Sequence, residues 1–147
     1  MSTPITAEQT VLEFDQEIEI KAAPGEVFEG MLHRLSEGHT GPQEQPLPLK
    51  LERWAGGRWL RDLGDGHGHL WGFVQSIKPP TLIELFGPMF MSYPVSGHLI
   101  VRFSPVAGGT KISFKYSAFG LILEGHRSGL KQGWSEMLTG LKAKLEG

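Results

Sequence analysis

Apolar positions along this chain switch between two periods, and the switches mark its elements. From Val11 to Lys21 the period is two. Leu12, Phe14, Ile18 and Ile20 fall on one side, and Glu13, Asp15, Glu17 and Glu19 on the other. That alternation predicts a strand with one buried and one wet face. Ala23-Pro24 then opens a helical stretch, since proline suits a first helical turn. Val27, Phe28, Met31, Leu32 and Leu35 carry it at helical spacing from Pro24 to about Ser36. A Gly/Pro-rich loop follows, Gly38 to Pro48. From Leu49 onward short runs alternate with turn residues. Leu49–Trp54, Arg58–Leu63, His69–Ile77, Thr81–Phe86, Ser96–Phe103 and Lys111–Phe119 read as strands. Gly56-Gly57, Asp65-Gly66, Pro79-Pro80 and Gly108-Gly109 punctuate them, as glycine and proline do in turns.

The period returns to helical over the last two dozen residues, Leu123 to Glu146. Leu130, Trp134, Met137, Leu138, Leu141 and Leu145 form a broad apolar stripe. Upstream, Gly125, Gly129 and Gly133 fall four apart on a row that continues into Met137 and Leu141. Each glycine costs a helix roughly 1 kcal/mol against alanine, so three in register call for a reason. The expectation is that they leave empty space beside a sheet.

The order is therefore strand, helix, about six strands in a meander, long helix. Strands joined by tight turns pair antiparallel, and a curved sheet with one wet face needs its other face covered. The final helix is the one element large enough to do so. The expected class is α+β, with a curved antiparallel sheet of six to seven strands wrapped around a long C-terminal helix. Residues 1–10 are expected to form a flexible tail and residues 11–147 a single domain.

Composition narrows the function. The chain has 147 residues, 14 of them basic and 16 acidic, with a formal charge of -2. That balance disfavours a phosphate-binding surface, so no nucleic-acid partner is expected. No run approaches the length of a membrane span. The first ten residues lack an apolar signal core. Zero cysteines exclude disulfides, thiolate metal sites and cysteine nucleophiles. A cytoplasmic address is the expectation.

Several local motifs, taken in order, resemble the START/polyketide-cyclase superfamily (SRPBCC) with its helix-grip, birch-pollen-allergen-like fold. They are Ile20 followed by Ala23-Pro24-Gly25-Glu26-Val27-Phe28, then Gly56-Gly57-Arg58-Trp59, then Gly72-Phe73-Val74. Ile77-Lys78-Pro79-Pro80 with Leu82 follows, and last Gly133-Trp134 with Leu138, Leu141 and Leu145. Within the superfamily they are most similar to the branch named for the C-terminal domain of the activator of the heat-shock-protein-90 ATPase. The resemblance covers nearly the whole chain after residue 10. It implies a seven-stranded sheet gripping the final helix, with a cavity between them. It carries over no catalytic signature.

Phased on Trp134, the final helix is expected to present Gly125, His126, Arg127, Gly129, Leu130 and Gly133 to that cavity, with His126 or Arg127 as polar anchor. The apolar segment Phe86, Met89, Phe90, Met91 and Tyr93 is expected to act as a gate, because methionine and aromatic side chains adapt to varied apolar shapes. Trp59, Trp71 and Tyr116 complete the candidate lining. Asp62, Asp65, His67 and His69 suggest a divalent-metal site by spacing, but Asp65-Gly66 and Gly68 read better as a polar hairpin turn. No metal and no cofactor are expected. No nucleophile elbow, H-E-x-x-H, P-loop or dinucleotide fingerprint is present.

The favoured reading is a non-catalytic protein, monomer or homodimer, that binds a small apolar or amphipathic molecule. Two alternatives stand beside it. One is a chaperone-regulating interaction module, using the acidic face of the first strand. The other is a cyclase- or aromatase-like enzyme using His126, Arg127 and Tyr116.

Overall fold

The structure, a computed structural model, describes residues 10–147. The expected tail at residues 1–10 lies, apart from Thr10, outside the described residues. Seven strands and two helices follow in order: β1 (Val11–Ile20), α1 (Pro24–Leu35), β2 (Lys50–Leu51), β3 (Arg58–Gly64), β4 (His67–Lys78), β5 (Leu82–Gly87), β6 (Val95–Val106), β7 (Gly109–Gly120) and α2 (Glu124–Glu146). The strands form one antiparallel sheet in the order β1-β7-β6-β5-β4-β3-β2. This is the helix-grip arrangement the sequence led us to expect. Among the described residues no helix is long and apolar enough to cross a membrane.

Local chemistry explains most boundaries. Asp65 and Gly66 both adopt positive φ, 55° and 78°, as the tight turn between β3 and β4 demands. The β6–β7 hairpin turns on Ala107 and Gly108, with Val106 paired to Gly109, one residue earlier than expected. The expected strand Leu49–Trp54 shrinks to Lys50–Leu51. Beyond it Glu52 turns back to bind Arg58 through paired hydrogen bonds of 2.9 and 2.7 Å, and Trp54 is exposed.

The core lies on the concave face. Helix α1 buries Val27, Phe28, Met31, Leu32 and Leu35 there, and Phe28 meets Phe103 of β6 edge-on at 5.2 Å. The indole Nε1 of Trp59 donates to the Leu35 carbonyl at 2.7 Å, satisfying an orphan acceptor at the end of α1. Helix α2 buries Leu130, Met137, Leu138 and Leu141. Its C-terminal half packs on α1 at Gly30, where an added Cβ would press on Leu141 and Leu145 at 3.2–3.3 Å.

Polar ties fix α2 along the edge strand β1. Arg127 Nη1 donates to the Val11 carbonyl at 2.9 Å and Lys142 Nζ to the Glu19 carbonyl at 2.6 Å. About 22 Å of helix thus runs beside about 27 Å of strand. Capping those carbonyls also shields a strand edge that is otherwise open to further pairing. The outer carboxylates of β1 face lysines of β7. Asp15 pairs with Lys115 and Glu19 with Lys111 in register, and Lys111 Nζ lies 3.6 Å from Glu17.

Leu138 is fully buried where α2 meets the sheet. Leu138→Ala is expected to cost about 2–5 kcal/mol, read as a lower urea midpoint at unchanged slope.

Candidate functional site

The site forms where the N-terminal half of α2 faces β7, β6 and β4, with residues 88–94 crossing between them. Its first wall is Trp71. Trp59 pairs with Gly72 and the next residue, Leu60, pairs with Leu70, so Trp71 is the extra residue of a β-bulge. A bulge re-aims the side chain it carries. Here it puts the Trp71 ring beside the rings of Trp59 at 5.4 Å, His39 at 5.1 Å and His69 at 6.3 Å. Gly72 and Gly87 let β5 leave the sheet close to this point. A Cβ on Gly72 would collide with the Phe86 carbonyl, and one on Gly87 with the backbone of Gly72.

The segment that follows bridges sheet and helix. The Met89 N–H donates to the Trp71 carbonyl at 2.8 Å, and Met89 and Met91 are buried. Phe90 lies between sheet and helix, 6.1 Å from the ring of Trp71 and 5.5 Å from that of His126. Tyr93 stacks on His126, and its hydroxyl is hydrogen-bonded to the imidazole Nδ1 at 2.5 Å. Deeper in, Trp134 of α2 lies on Tyr116 and Phe114 of β7 at 5.4 and 5.3 Å.

The hydrogen-bond inventory of this region is unbalanced. Among the described residues, four buried side-chain polar atoms have no partner: Trp71 Nε1, Tyr116 Oη, Trp134 Nε1 and Arg61 Nη1. Arg61 alternates with Trp59 along β3 and pairs with His69 of β4, so it shares the concave face. Elsewhere buried polar groups are paired, Trp59 with Leu35 and Thr110 Oγ1 with the Ala22 carbonyl. Burial, and then the neighbouring Tyr93, push the Tyr116 hydroxyl well above its ordinary pKa. It stays protonated, so it can donate.

The structure therefore brings together Trp71, Met89, Phe90, Tyr93, Tyr116, His126 and Leu130 from the expected lining, with Trp59 packed behind Trp71 and Met91 in the turn. It does not bring in the others. Gly125, Gly129 and Gly133 are exposed, and an added Cβ on any of them meets open space. A four-residue step advances about 40° around a helix, so the row that is buried at Met137 has rotated into solvent by Gly125. Phe86 lies on the opposite, convex face, half-exposed against Phe73, because strand alternation sets it opposite Leu85. Arg127 is committed to the Val11 carbonyl and to Glu124 at 3.7 Å, so it is no anchor. Asp62 accepts from the Gly64 N–H, and no cluster of three metal-ligating side chains occurs among the described residues.

Two surface clefts lie elsewhere. One, of about 390 Å³, runs between α1 and β2 beside Glu29, His33 and Arg53. The other, of about 440 Å³, lies beside Lys78, Thr81 and Arg102. Where the N-terminal half of α2 meets residues 88–94, Phe90, Tyr93 and His126 instead pack against one another. Sequence reading missed Arg61, Trp134 and His39 as site residues. For Arg61 the signal was available: a cation two residues after a core tryptophan on one strand.

Residues 45–146 match the family described as Activator of Hsp90 ATPase homolog 1-like protein. No curated protein matches the chain. Among solved structures, an uncharacterized protein from Rhizobium leguminosarum is similar at 24% identity and TM-score 0.67, covering 92% of this chain and 95% of that one. The Aha1 dimer from Colwellia psychrerythraea is similar at 15% identity and TM-score 0.65, covering 92% and 96%. The di-domain ARO/CYC StfQ from the steffimycin biosynthetic pathway is similar at 14% identity and TM-score 0.64, covering 95% of this chain and 52% of that one. At these identities the likeness establishes the fold.

Two outcomes follow from the geometry. Gly129→Ala and Gly133→Ala are each expected to raise stability by about 0.5–1 kcal/mol in urea unfolding; destabilisation would place these glycines against the sheet after all. His39 is held below its ordinary pKa chiefly by burial, with Arg34 adding to it against the pull of the Leu47 carbonyl. The unfolded chain then binds the proton more readily. Stability is expected to fall as pH drops below ~6.5, levelling off below the folded value, and His39→Asn flattens that slope.

Proposed function

The chain belongs to the Activator of Hsp90 ATPase homolog 1-like family, and we propose that it is a small-molecule binding protein. Its ligand, apolar in body, lies between α2 and the concave sheet. One observation carries this reading: three ring-borne polar atoms, Trp71 Nε1, Tyr116 Oη and Trp134 Nε1, are buried there without partners. Leaving a buried donor unpaired costs about 1–3 kcal/mol. A ligand supplying acceptors recovers that cost, while the rings around it supply the apolar contact typical of such pockets.

The Tyr93–His126 hydrogen bond and Phe90 form the latch through which the ligand passes. They tie residues 88–94 to α2 with one polar contact and two ring contacts. His126 is thus the latch partner on the helix rather than the group that orients the ligand. The chaperone-regulating alternative drew on the acidic face of β1. Those carboxylates already face Lys111 and Lys115 across the sheet, which leaves the pocket as the better-supported feature.

The test pairs native mass spectrometry of freshly purified protein with uptake of the neutral probe N-phenylnaphthylamine. Wild-type protein is expected to carry a co-purified small molecule or to bind the probe. Tyr116→Phe removes an unpaired hydroxyl, so the free protein is expected to be as stable as wild type or more so. The same substitution is expected to weaken retention of the co-purified molecule several-fold. A wild type that carries nothing and takes up no probe would overturn the pocket.

A further inference from the structure

We propose that the ligand of this pocket is an aromatic acid, and that Arg61 holds its anionic group. The inference rests on the pocket reading above and goes on to name the chemistry of the occupant.

Among the described residues, four buried side-chain polar atoms lack partners. Two of the four are indole N–H groups, which donate and cannot accept, and one is a guanidinium nitrogen, which likewise only donates. The fourth, the Tyr116 hydroxyl, stays protonated and is free to donate. Three of the unmet groups can only donate and the fourth can donate, so the site is complementary to a molecule rich in acceptor oxygens. Donor groups on a ligand would leave those three unmet.

Charge adds the second step. A guanidinium stays protonated in proteins, and Arg61 has no ion pair or hydrogen bond among the described residues. The other arginines of the first half of the chain are engaged. Arg53 binds Glu29, Arg58 binds Glu52, and Arg34 binds Thr40. Burying a cationic nitrogen without a counter-charge is unfavourable, and an anion entering from the ligand resolves it. Arginine also matches the planar, two-oxygen geometry of a carboxylate.

Position supplies the third step. Arg61 sits on the concave face two residues from Trp59 and across from His69, whose ring lies 6.3 Å from Trp71. The acidic group is therefore placed at the β3–β4 end, beside Trp71. From there the ring of Phe90 lies 6.1 Å from Trp71 and 5.5 Å from His126, and deeper in Tyr116 lies 5.4 Å from Trp134. A site lined this densely by aromatic rings favours an aromatic body, which stacks on or meets their edges.

Two fluorescent probes separate this inference from the pocket itself. N-phenylnaphthylamine is neutral, and anilinonaphthalene sulfonate is the same skeleton with an anionic group. Arg61→Gln is expected to weaken the sulfonate about tenfold and to change the neutral probe less than twofold. Arg61→Lys is expected to fall between. Naphthoate is expected to displace the sulfonate, and inorganic phosphate is not. If both probes bind and Arg61→Gln treats them alike, the anchor is overturned and the pocket survives. Equal loss of both probes in the Gln and Lys variants makes Arg61 a structural residue and also overturns the anchor. Displacement by phosphate but not naphthoate overturns the aromatic acid. If neither probe binds wild-type protein, pocket and anchor fall together.

Discussion

Everything in this structure depends on how α2 is seated on the concave face of the sheet. Leu130, Met137, Leu138 and Leu141 are its buried stripe, and their burial is the principal apolar contact between the helix and the strands. Arg127 and Lys142 then bind carbonyls near the two ends of β1, which sets the register of the helix along that edge. The pairing of β1 with β7 makes this possible, since it brings the start of the chain beside the strand that leads into α2.

Among the described residues, that seating leaves buried polar groups unpaired where the N-terminal half of α2 meets the sheet. Toward its C-terminus α2 packs on α1, and the contact is tight enough for Gly30 to matter. Toward its N-terminus it faces rings instead, and only a loop closes the gap to β4. Trp59, part of the same aromatic group, finds a carbonyl at the end of α1. Trp71, Tyr116 and Trp134 find none. The distinction is geometric. The Trp59 N–H reaches a carbonyl at the end of α1, whereas no acceptor lies within hydrogen-bonding distance of Trp71 Nε1, Trp134 Nε1 or the Tyr116 hydroxyl. The energy of burying those rings is recovered from packing, while their N–H and O–H groups remain available to an occupant.

The periodicity of the sequence carried the element order, because periods of two and 3.6 follow directly from backbone geometry. Where tertiary contacts override the local pattern, the reading failed. Leu49 to Trp54 alternates like a strand, yet the backbone turns after Glu52, where the Trp54 N–H bonds back to the Glu52 carbonyl and the Gly57 N–H to that of Trp54. Phe86 reads both as the end of a strand and as part of the gate, and the alternation of that strand turns its ring to the convex side. The glycine row was real as a pattern and misplaced as a wall, because a spacing of four drifts around the helix while a spacing mixing three and four does not.

The sequence alone determined which residues seek burial and in what local conformation, since side-chain hydrophobicity and backbone period are properties of short stretches. It thereby determined the strand–helix–meander–helix order, the grip of the last helix and most of the aromatic lining. Only the tertiary structure decided which polar atoms within that lining are left unpaired. A hydrogen bond joins groups far apart in the chain, and whether Trp59 meets Leu35 while Trp71 meets no acceptor depends on a bulge, a helix end and a loop arriving at one point. The same arrival committed Arg127 to the edge of the sheet and, among the described residues, left a buried nitrogen of Arg61 without a partner on the concave face.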